Sequence, residues 1–323
     1  MKAIVQDVYG TADVLELREV PRPAARPGEV LVRVQAAAVD AGVWHLMTGL
    51  PYLLRLMGFG LRAPKVPVRG RDVAGRVEAV GAGVTRFRPG DEVFGICEGS
   101  FAEYACAPED RFVTRPDTLT PAQAAALPIS GLTALQALRD AGRVRRGQRV
   151  LVIGAGGGVG TYAVQLAKDA GAHVTGVCST AKADLVRSLG ADEVVDYTRE
   201  DVTDGTRRYD LVLDIAGNRP LSALRRALVP RGTLVIVGGE GGGRWLGGTD
   251  RTLRAVLLSP FVRHRLRGLV SSERADDIRR LAELAGEGRL TPVLDRTYPL
   301  AQTPEAIRRA QSGAAHGKVV VTP

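Results

Sequence analysis

The sequence predicts an α/β protein in which a doubly wound parallel sheet is joined to a smaller, β-rich domain. Three observations predict it. The chain has 323 residues, and at roughly 100–200 residues per domain this favours two domains. From about residue 148, short apolar runs alternate with segments of helical spacing, the signature of a parallel sheet covered by helices on both faces. Before about residue 120, Val-rich segments are punctuated by Pro-Gly turns, the signature of an irregular β domain.

The elements follow in order. LVRVQAAAV (31–39) and DVAGRVEAVG (72–81) read as strands. The turns are Arg26-Pro27-Gly28-Glu29, Arg88-Pro89-Gly90-Asp91 and the glycines at 81 and 83. The alternating part begins with the strand RVLVIG (149–154) and a helix over 161–171 that stops at Gly171. HVTGVCS (173–179), EVVDY (193–197), DLVLDIAG (210–217) and TLVIVGG (233–239) read as further strands, with helices over 182–190 and around 220–228. Right-handed crossovers then give the doubly wound arrangement. The tail holds a helix over 275–288, a strand around 293–298, a helix over 304–312 and the strand KVVVT (318–322). It repeats neither texture at length and reads as a return to the β-rich domain.

Composition excludes several classes. Apolar residues make up 45% and charged residues 24%, an ordinary globular balance that argues against disorder. Cys97, Cys106 and Cys178 are too few and too scattered for a disulfide framework, and they fit a reducing, cytoplasmic compartment. The start, MKAIVQDVYG, has no apolar signal region. The longest uncharged stretch, Thr118 to Leu138, contains Pro121, Pro128 and Gly131 and reads as buried helix and loop, so no membrane span is expected. The net charge of +9 comes from arginines interleaved with acids along the whole chain, which argues against a nucleic-acid partner. The densest basic cluster, Arg251 to Arg267, reads as a solvated helix face or a subunit contact.

The chemistry centres on Gly154-Ala155-Gly156-Gly157-Gly158-Val159-Gly160, between a predicted strand and a predicted helix. Amides at a helix N-terminus lack intrahelical partners and carry partial positive charge, so they bind a pyrophosphate. Close approach needs residues without Cβ, and a later glycine lets helix and strand pack together. The spacing is Ala-x-Gly-x-x-Gly through Ala155, Gly157 and Gly160. NAD sites place an acid roughly 20 residues further on to hold the ribose hydroxyls. That region reads Cys178-Ser179-Thr180-Ala181-Lys182, without a carboxylate. Ser179 and Lys182 suit a 2′-phosphate, and one charge-assisted hydrogen bond is worth about 1.5–3 kcal/mol. NADPH is therefore the expected cofactor, with Asp184 the residue that argues the other way.

Gly147-Gln148-Arg149-Val150-Leu151, the glycine turn, Gln165 and Lys168 together resemble the signature of the zinc-independent quinone oxidoreductase (zeta-crystallin-like) branch of the medium-chain dehydrogenase/reductase superfamily. RPGDEVFG (88–95), SFAEY (100–104), GLTALQAL (131–138) and GKVVV (317–321) are similar to that family's landmarks, in order. The resemblance spans essentially the whole chain. It implies a GroES-like catalytic domain over 1–121 and 289–323 around a Rossmann domain over 122–288. It implies that Gly156, Gly158 and Val159 form the pyrophosphate turn, and that Ser179, Lys182 and Tyr197 surround the 2′-phosphate. Thr133 and Gly238 would border the nicotinamide. It also implies a homodimer joined by the strand near Leu266–Val270.

Departures from the family pattern are equally informative. Zinc-dependent relatives supply Cys, His and Cys to a catalytic metal, and the matching positions are Asp40, Arg71 and Ser130. Arginine stays charged and does not ligate, and a catalytic zinc needs three protein ligands, so no metal is expected. Many zinc-free relatives carry Asn and then Asp in the active-site segment, where Asp40 and Val43 stand. Without a metal, the simplest chemistry is hydride delivery to a quinone or the β-carbon of an enone, with donors aimed at the developing oxyanion. Tyr52, His45 and Thr133 are the candidate donors, and PYLLRLMGFGL (51–61) is a candidate lid or wall for a small hydrophobic substrate. Two alternatives stay open: a zinc-independent carbonyl or alcohol reductase-dehydrogenase, and a non-catalytic NADPH-binding protein with a structural or RNA-binding role.

Overall fold

Alternating branched side chains in the first third build a mostly antiparallel sheet. The computed structural model describes residues 1–239 and 243–323, and it divides into two compact units: Met1–Leu132 with Glu273–Pro323, and Thr133–Ser272. In the first unit, β1 (Lys2–Val5) and β2 (Glu16–Glu19) form a small antiparallel ribbon. β3 (Glu29–Val39) leads into α1 (Ala41–Thr48) and then α2 (Tyr52–Leu54), which continues as a π-helical turn to Phe59. β4 (Asp72–Val80), β5 (Glu92–Ile96), β6 (Tyr104–Pro108) and β7 (Phe112–Thr114) complete its N-terminal part. Val30, Val32 and Val34 on β3 enter one core with Val73, Val93 and Phe112, while Arg33 stays exposed, as the two-residue period of a strand requires.

α3 (Pro121–Ala126) opens with a capping box from Thr120 and Gln123, with Pro121 at its first turn. α4 (Pro128–Gln136) follows and carries the chain into the second unit. The uncharged stretch 118–138 is thus two buried helices. Among the described residues, no helix is long and apolar enough to cross a membrane.

The second unit holds β8 (Arg149–Ile153), α5 (Gly158–Asp169), β9 (His173–Cys178), α6 (Ala183–Ser188) and β10 (Glu193–Asp196). β11 (Tyr209–Asp214), α7 (Leu221–Arg226), β12 (Leu228–Ile236), α8 (Thr249–Leu258) and β13 (Arg265–Gly268) follow. All six strands are parallel, in the order β10-β9-β8-β11-β12-β13. Strand order reverses between β8 and β11, the switch point where such sheets take nucleotides. Val150, Leu151, Val152 and Ile153 are all fully buried, because helices cover both faces.

The tail returns to the first unit through α9 (Ala275–Gly286), β14 (Leu294–Pro299), α10 (Thr303–Gln311) and β15 (Lys318–Thr322). The resulting sheet runs β14-β15-β3-β4-β5-β7, with β6 on the first half of β3. This unit takes in α3, the start of α4 and α9, and the compact units divide at 132/133 and 272/273. Packing is the reason. α9 lies against β7, and its Leu281 sits so close to α4 that a Cβ on Gly131 would come within 2.9 Å of its Cδ1. The 251–267 segment also divides. Arg254 is exposed and pairs with Asp250 at 3.3 Å, but Arg251 turns inward onto the buried Asp214 instead of joining a solvated face.

The last strands are tied by Asp295, which accepts two hydrogen bonds of 2.9 Å from the Arg309 guanidinium and one of 2.9 Å from the His316 amide. The Arg309 hydrogen bonds hold its carboxyl below the usual carboxylate range. A depressed folded-state pKa contributes stability above the unfolded value, near about 4, that is lost as pH falls through the folded value. The Asp295→Asn variant should therefore melt lower than wild type at pH 7. Its stability should also fall less between about pH 5 and pH 3, as read by thermal melts across that range.

Candidate functional site

The glycine turn is built by the removal of Cβ atoms at two close approaches. β8 ends at Ile153, residues 154–156 turn, and Gly157 takes the extended N-cap position of α5. No side chain caps this helix, so its first amides are not covered by one of its own residues. A Cβ at Gly160 would drive into the Gly154 carbonyl oxygen, so only glycine lets the helix head rest on the turn. A Cβ at Gly156 would lie 2.7 Å from Cδ of Lys182, so the lysine stem crosses the turn at this point. Gly157, Gly158 and Val159 are half-buried at the mouth of the turn, while Tyr162 and Val164 fix α5 on the sheet.

The rim is set by the end of β9. Ser179 is extended and half-buried, and residues 180–182 form one 3₁₀ turn that carries Lys182 over the glycines. The Tyr197 amide donates to the Cys178 carbonyl at 3.1 Å, which keeps Tyr197 beside Ser179 with its ring exposed. The structure thus sets Tyr197 beside the end of β9, next to Ser179, and Lys182 against the glycine turn. Asp184 is fully exposed and pairs with Arg187 at 2.7 Å. Asp196, which sequence reasoning missed, stands at the end of β10. It accepts from the hydroxyls of Thr180 and Thr198, and these bonds, Thr180 first, lower its pKa. The readable signal was Asp-Tyr-Thr just after an apolar strand, an Asx turn.

Two loops meet at the switch point. The carboxylate of Asp214, at the end of β11, is fully buried, accepts from the Gly217 amide at 3.2 Å and pairs with Arg251. Burial raises its pKa and Arg251 opposes the rise. The Gly238 amide donates to the Asp214 carbonyl at 3.2 Å, and a Cβ on Gly238 would collide with the Ile215 carbonyl. Gly238 is therefore held where two backbones touch. Thr133 is half-buried within α4. Arg251 is the second residue that sequence reasoning missed. An acid closing a buried strand signals a cation partner, but not which one.

In the first unit, the three positions matching a zinc site carry other chemistry. One carboxylate oxygen of Asp40 caps α1 by accepting from the Val43 amide at 3.2 Å, and the other is buried without a partner. Arg71 pairs with Glu273, which also takes Arg111. The Ser130 hydroxyl accepts from Lys318 Nζ at 3.1 Å, and the same ammonium meets Asp72 at 3.1 Å. Asp72 and Lys318 are 0% and 2% exposed. Burial pushes the Asp72 pKa up, and Lys318 opposes it. An arginine, a serine bound to an ammonium and one carboxylate are not a zinc donor set. Among the described residues, no group of three or more His, Cys, Asp or Glu is placed to hold a metal.

Of the candidate proton donors, His45 and Tyr52 belong to the first unit and Thr133 to the second. His45 Nδ1 is 2.9 Å from the Leu50 carbonyl, a bond that closes the loop after α1. The Tyr52 ring lies 4.8 Å from the Arg55 guanidinium, which also donates to the Gly49 carbonyl at 2.9 Å. Nearby is a cavity of about 240 Å³ with Val43, Leu46, Phe59, Val66 and Val68 as apolar walls and Arg69, Arg71, Lys65 and Glu98 as charged lining. Within segment 51–61, Gly58 and Phe59 form part of this wall, while Leu56, Met57 and Leu61 are exposed. Neither His45 nor Tyr52 lines the cavity.

Comparison with known proteins agrees with this geometry. Residues 26–117 match the alcohol dehydrogenase GroES-like domain family, and residues 189–321 match the zinc-binding dehydrogenase family. The chain is 33% identical over 339 residues to a chloroplast envelope quinone oxidoreductase homolog of Arabidopsis thaliana, covering 100% of this chain and 98% of that protein. It is 32% identical over 339 residues to a 2-methylene-furan-3-one reductase of Solanum lycopersicum, covering 100% of this chain and 79% of that one. Among solved structures it is similar to mycobacterial Rv1454c complexed with NADPH, with a TM-score of 0.84, 28% identity and 100% of both chains covered.

The buried Lys318–Asp72–Ser130 cluster gives a test of stability. Removing one partner of a buried ion pair leaves the other charge uncompensated, at a cost of about 3–5 kcal/mol. Lys318→Met should lower the unfolding free energy by that much, and adding Asp72→Asn to it should recover part of the loss, as measured by denaturant unfolding.

Proposed function

The chain belongs to the quinone oxidoreductase branch of the medium-chain dehydrogenase/reductase superfamily, and from its site we propose an NADPH-dependent reductase of quinones or activated alkenes. When bound, NADPH supplies a hydride. The α5 amides at Gly158 and Val159 would hold its pyrophosphate, with Gly156, Gly157 and Gly160 giving the room that backbone approach needs. Ser179, Lys182 and Tyr197 would hold the 2′-phosphate. The observation that carries this reading is the Lys182 stem packed against Gly156, which runs a lysine side chain along the rim where an NAD site would have an acid.

Gly238 and Thr133 would border the reactive ring, and the Asp214–Arg251 pair would keep the loop at Gly238 in place. His45, Tyr52 and Thr133 are the candidate hydroxyl or ring donors for the oxygen that gains charge in the acceptor. Without a zinc donor set, stabilisation of that oxygen falls to hydrogen bonding. The same reading makes the chain a cytoplasmic homodimer joined through β13. β13 is an edge strand, and the strongly exposed Phe261 and Val270 flank it.

Steady-state oxidation of NADPH against panels of quinones, enones and simple aldehydes tests the reading. Quinones or enones should be reduced and aldehydes should not, whereas turnover confined to aldehydes would overturn it. Loss of one charge-assisted hydrogen bond corresponds to about tenfold or more in affinity. Lys182→Ala should raise KM for NADPH by that factor and leave KM for NADH unchanged. Equal effects on the two coenzymes would remove Lys182 from the 2′-phosphate.

A further inference from the structure

The cavity in the first unit holds a cation with no matching anion. Arg69 is 6% exposed and lines the cavity beside the apolar side chains of Val43, Leu46, Phe59, Val66 and Val68. Among the described residues its one side-chain hydrogen bond is a long one, 3.4 Å from Nη1 to the Leu46 carbonyl, and its Nε is buried without a partner. Burial pulls its pKa down, with Glu98 and Tyr9 opposing, yet a guanidinium stays protonated in a protein. Glu98 is the one acid in the lining. It is within electrostatic reach of Arg69 but forms no ion pair with it among the described residues. Arg71 is already matched by Glu273. Exposed Lys65 adds a further positive charge to the lining.

A buried charge is tolerated when something pairs with it. A planar guanidinium with open N–H groups is suited to an anionic oxygen pair, which it binds in a fork. We propose that Arg69 is a specificity-determining residue, and that the substrate is a flat apolar quinone or enone bearing an acidic group, either a carboxylate or an ionised ring hydroxyl. Val43, Leu46, Phe59 and Val68 take the apolar body, and the acidic group meets Arg69. The volume of about 240 Å³ is below the usual range of about 300–1,000 Å³ for drug-sized ligands, which limits the body to one or two rings. This inference rests on the reductase reading for the kind of substrate, but the anion site itself does not need turnover.

Calorimetry without coenzyme tests it directly, with 2-naphthoate as the acidic probe and 2-naphthamide as its neutral partner. One charge-assisted pair implies that wild type binds the acid about tenfold or more tightly than the amide. Arg69→Met should abolish that preference and leave amide binding within about twofold of wild type, while Arg69→Lys should retain part of it. Glu98→Gln should tighten the acid, and this reading does not depend on how well the Arg69 variants fold. Equal binding of the two probes by wild type, no binding of either, or a Glu98→Gln protein indifferent to the acid would each overturn the proposal. Selective acid binding without quinone or enone turnover would sink the reductase reading and keep the anion site. Turnover with equal binding of the two probes would do the reverse.

Discussion

Everything the second unit can do depends on how closely the head of α5 approaches the end of β8. That distance is set by Gly160, where any Cβ would meet the Gly154 carbonyl. With the helix seated there, its N-terminal amides point out of the sheet at the switch point between β8 and β11, with no side chain of their own over them. The partial charge at a helix start is small and falls off within a turn. It matters here because the rest of the rim reinforces it. Lys182 adds a full positive charge across Gly156, and Asp184, the acid nearest in sequence, is drawn off by Arg187.

The first unit has spent its polar groups differently. Where a zinc-dependent relative gathers soft ligands, this chain gathers ion pairs: the buried Asp72 with Lys318 and Ser130, and the half-buried Arg71 and Arg111 on Glu273. Such pairs give little net stability compared with apolar packing. What they provide is position. Lys318 lies on the last strand, Asp72 on β4 and Ser130 on α4, so one ammonium joins three stretches of chain that are far apart in sequence. The Ile129 amide bond to Asp72, 2.9 Å long, adds a third tie at the start of α4.

Legibility in the sequence follows the range of the physics involved. The parallel strands were readable because burial on both faces leaves an unbroken apolar run such as Val150-Leu151-Val152-Ile153. The glycine turn was readable because it sits between such a strand and a helix. The surfaces that cover amphipathic helices were less so. An amphipathic helix like α9 announces an apolar face but not the surface that will cover it, and Leu281 reaches α4 only once both are folded. Partners of buried charge were the hardest to read. Asp214 and Arg251 are paired across a helix, a strand and two loops, and a basic run in that region looks solvated until Arg251 turns inward. Arg69 was invisible for the same reason, since nothing local marks an arginine whose surroundings are Leu46 and Val68.

The identity of each cation then separates its role. Lys318 presents one compact ammonium to two oxygens at 3.1 Å, which a point charge with three rotatable donors does well and a rigid fork would not. Arg251 reaches both Asp214 and the Arg219 carbonyl, the latter at 2.7 Å, through the single nitrogen Nη2. Arg69 has the fork and lacks the matching acceptors. A lysine in that apolar wall could shed its proton and become neutral, but a guanidinium keeps its charge in such surroundings. An anion arriving from outside would give this permanent charge the ion-pair partner that it lacks among the described residues. The apolar wall makes that encounter stronger, since a charge-assisted bond gains as water is excluded from it.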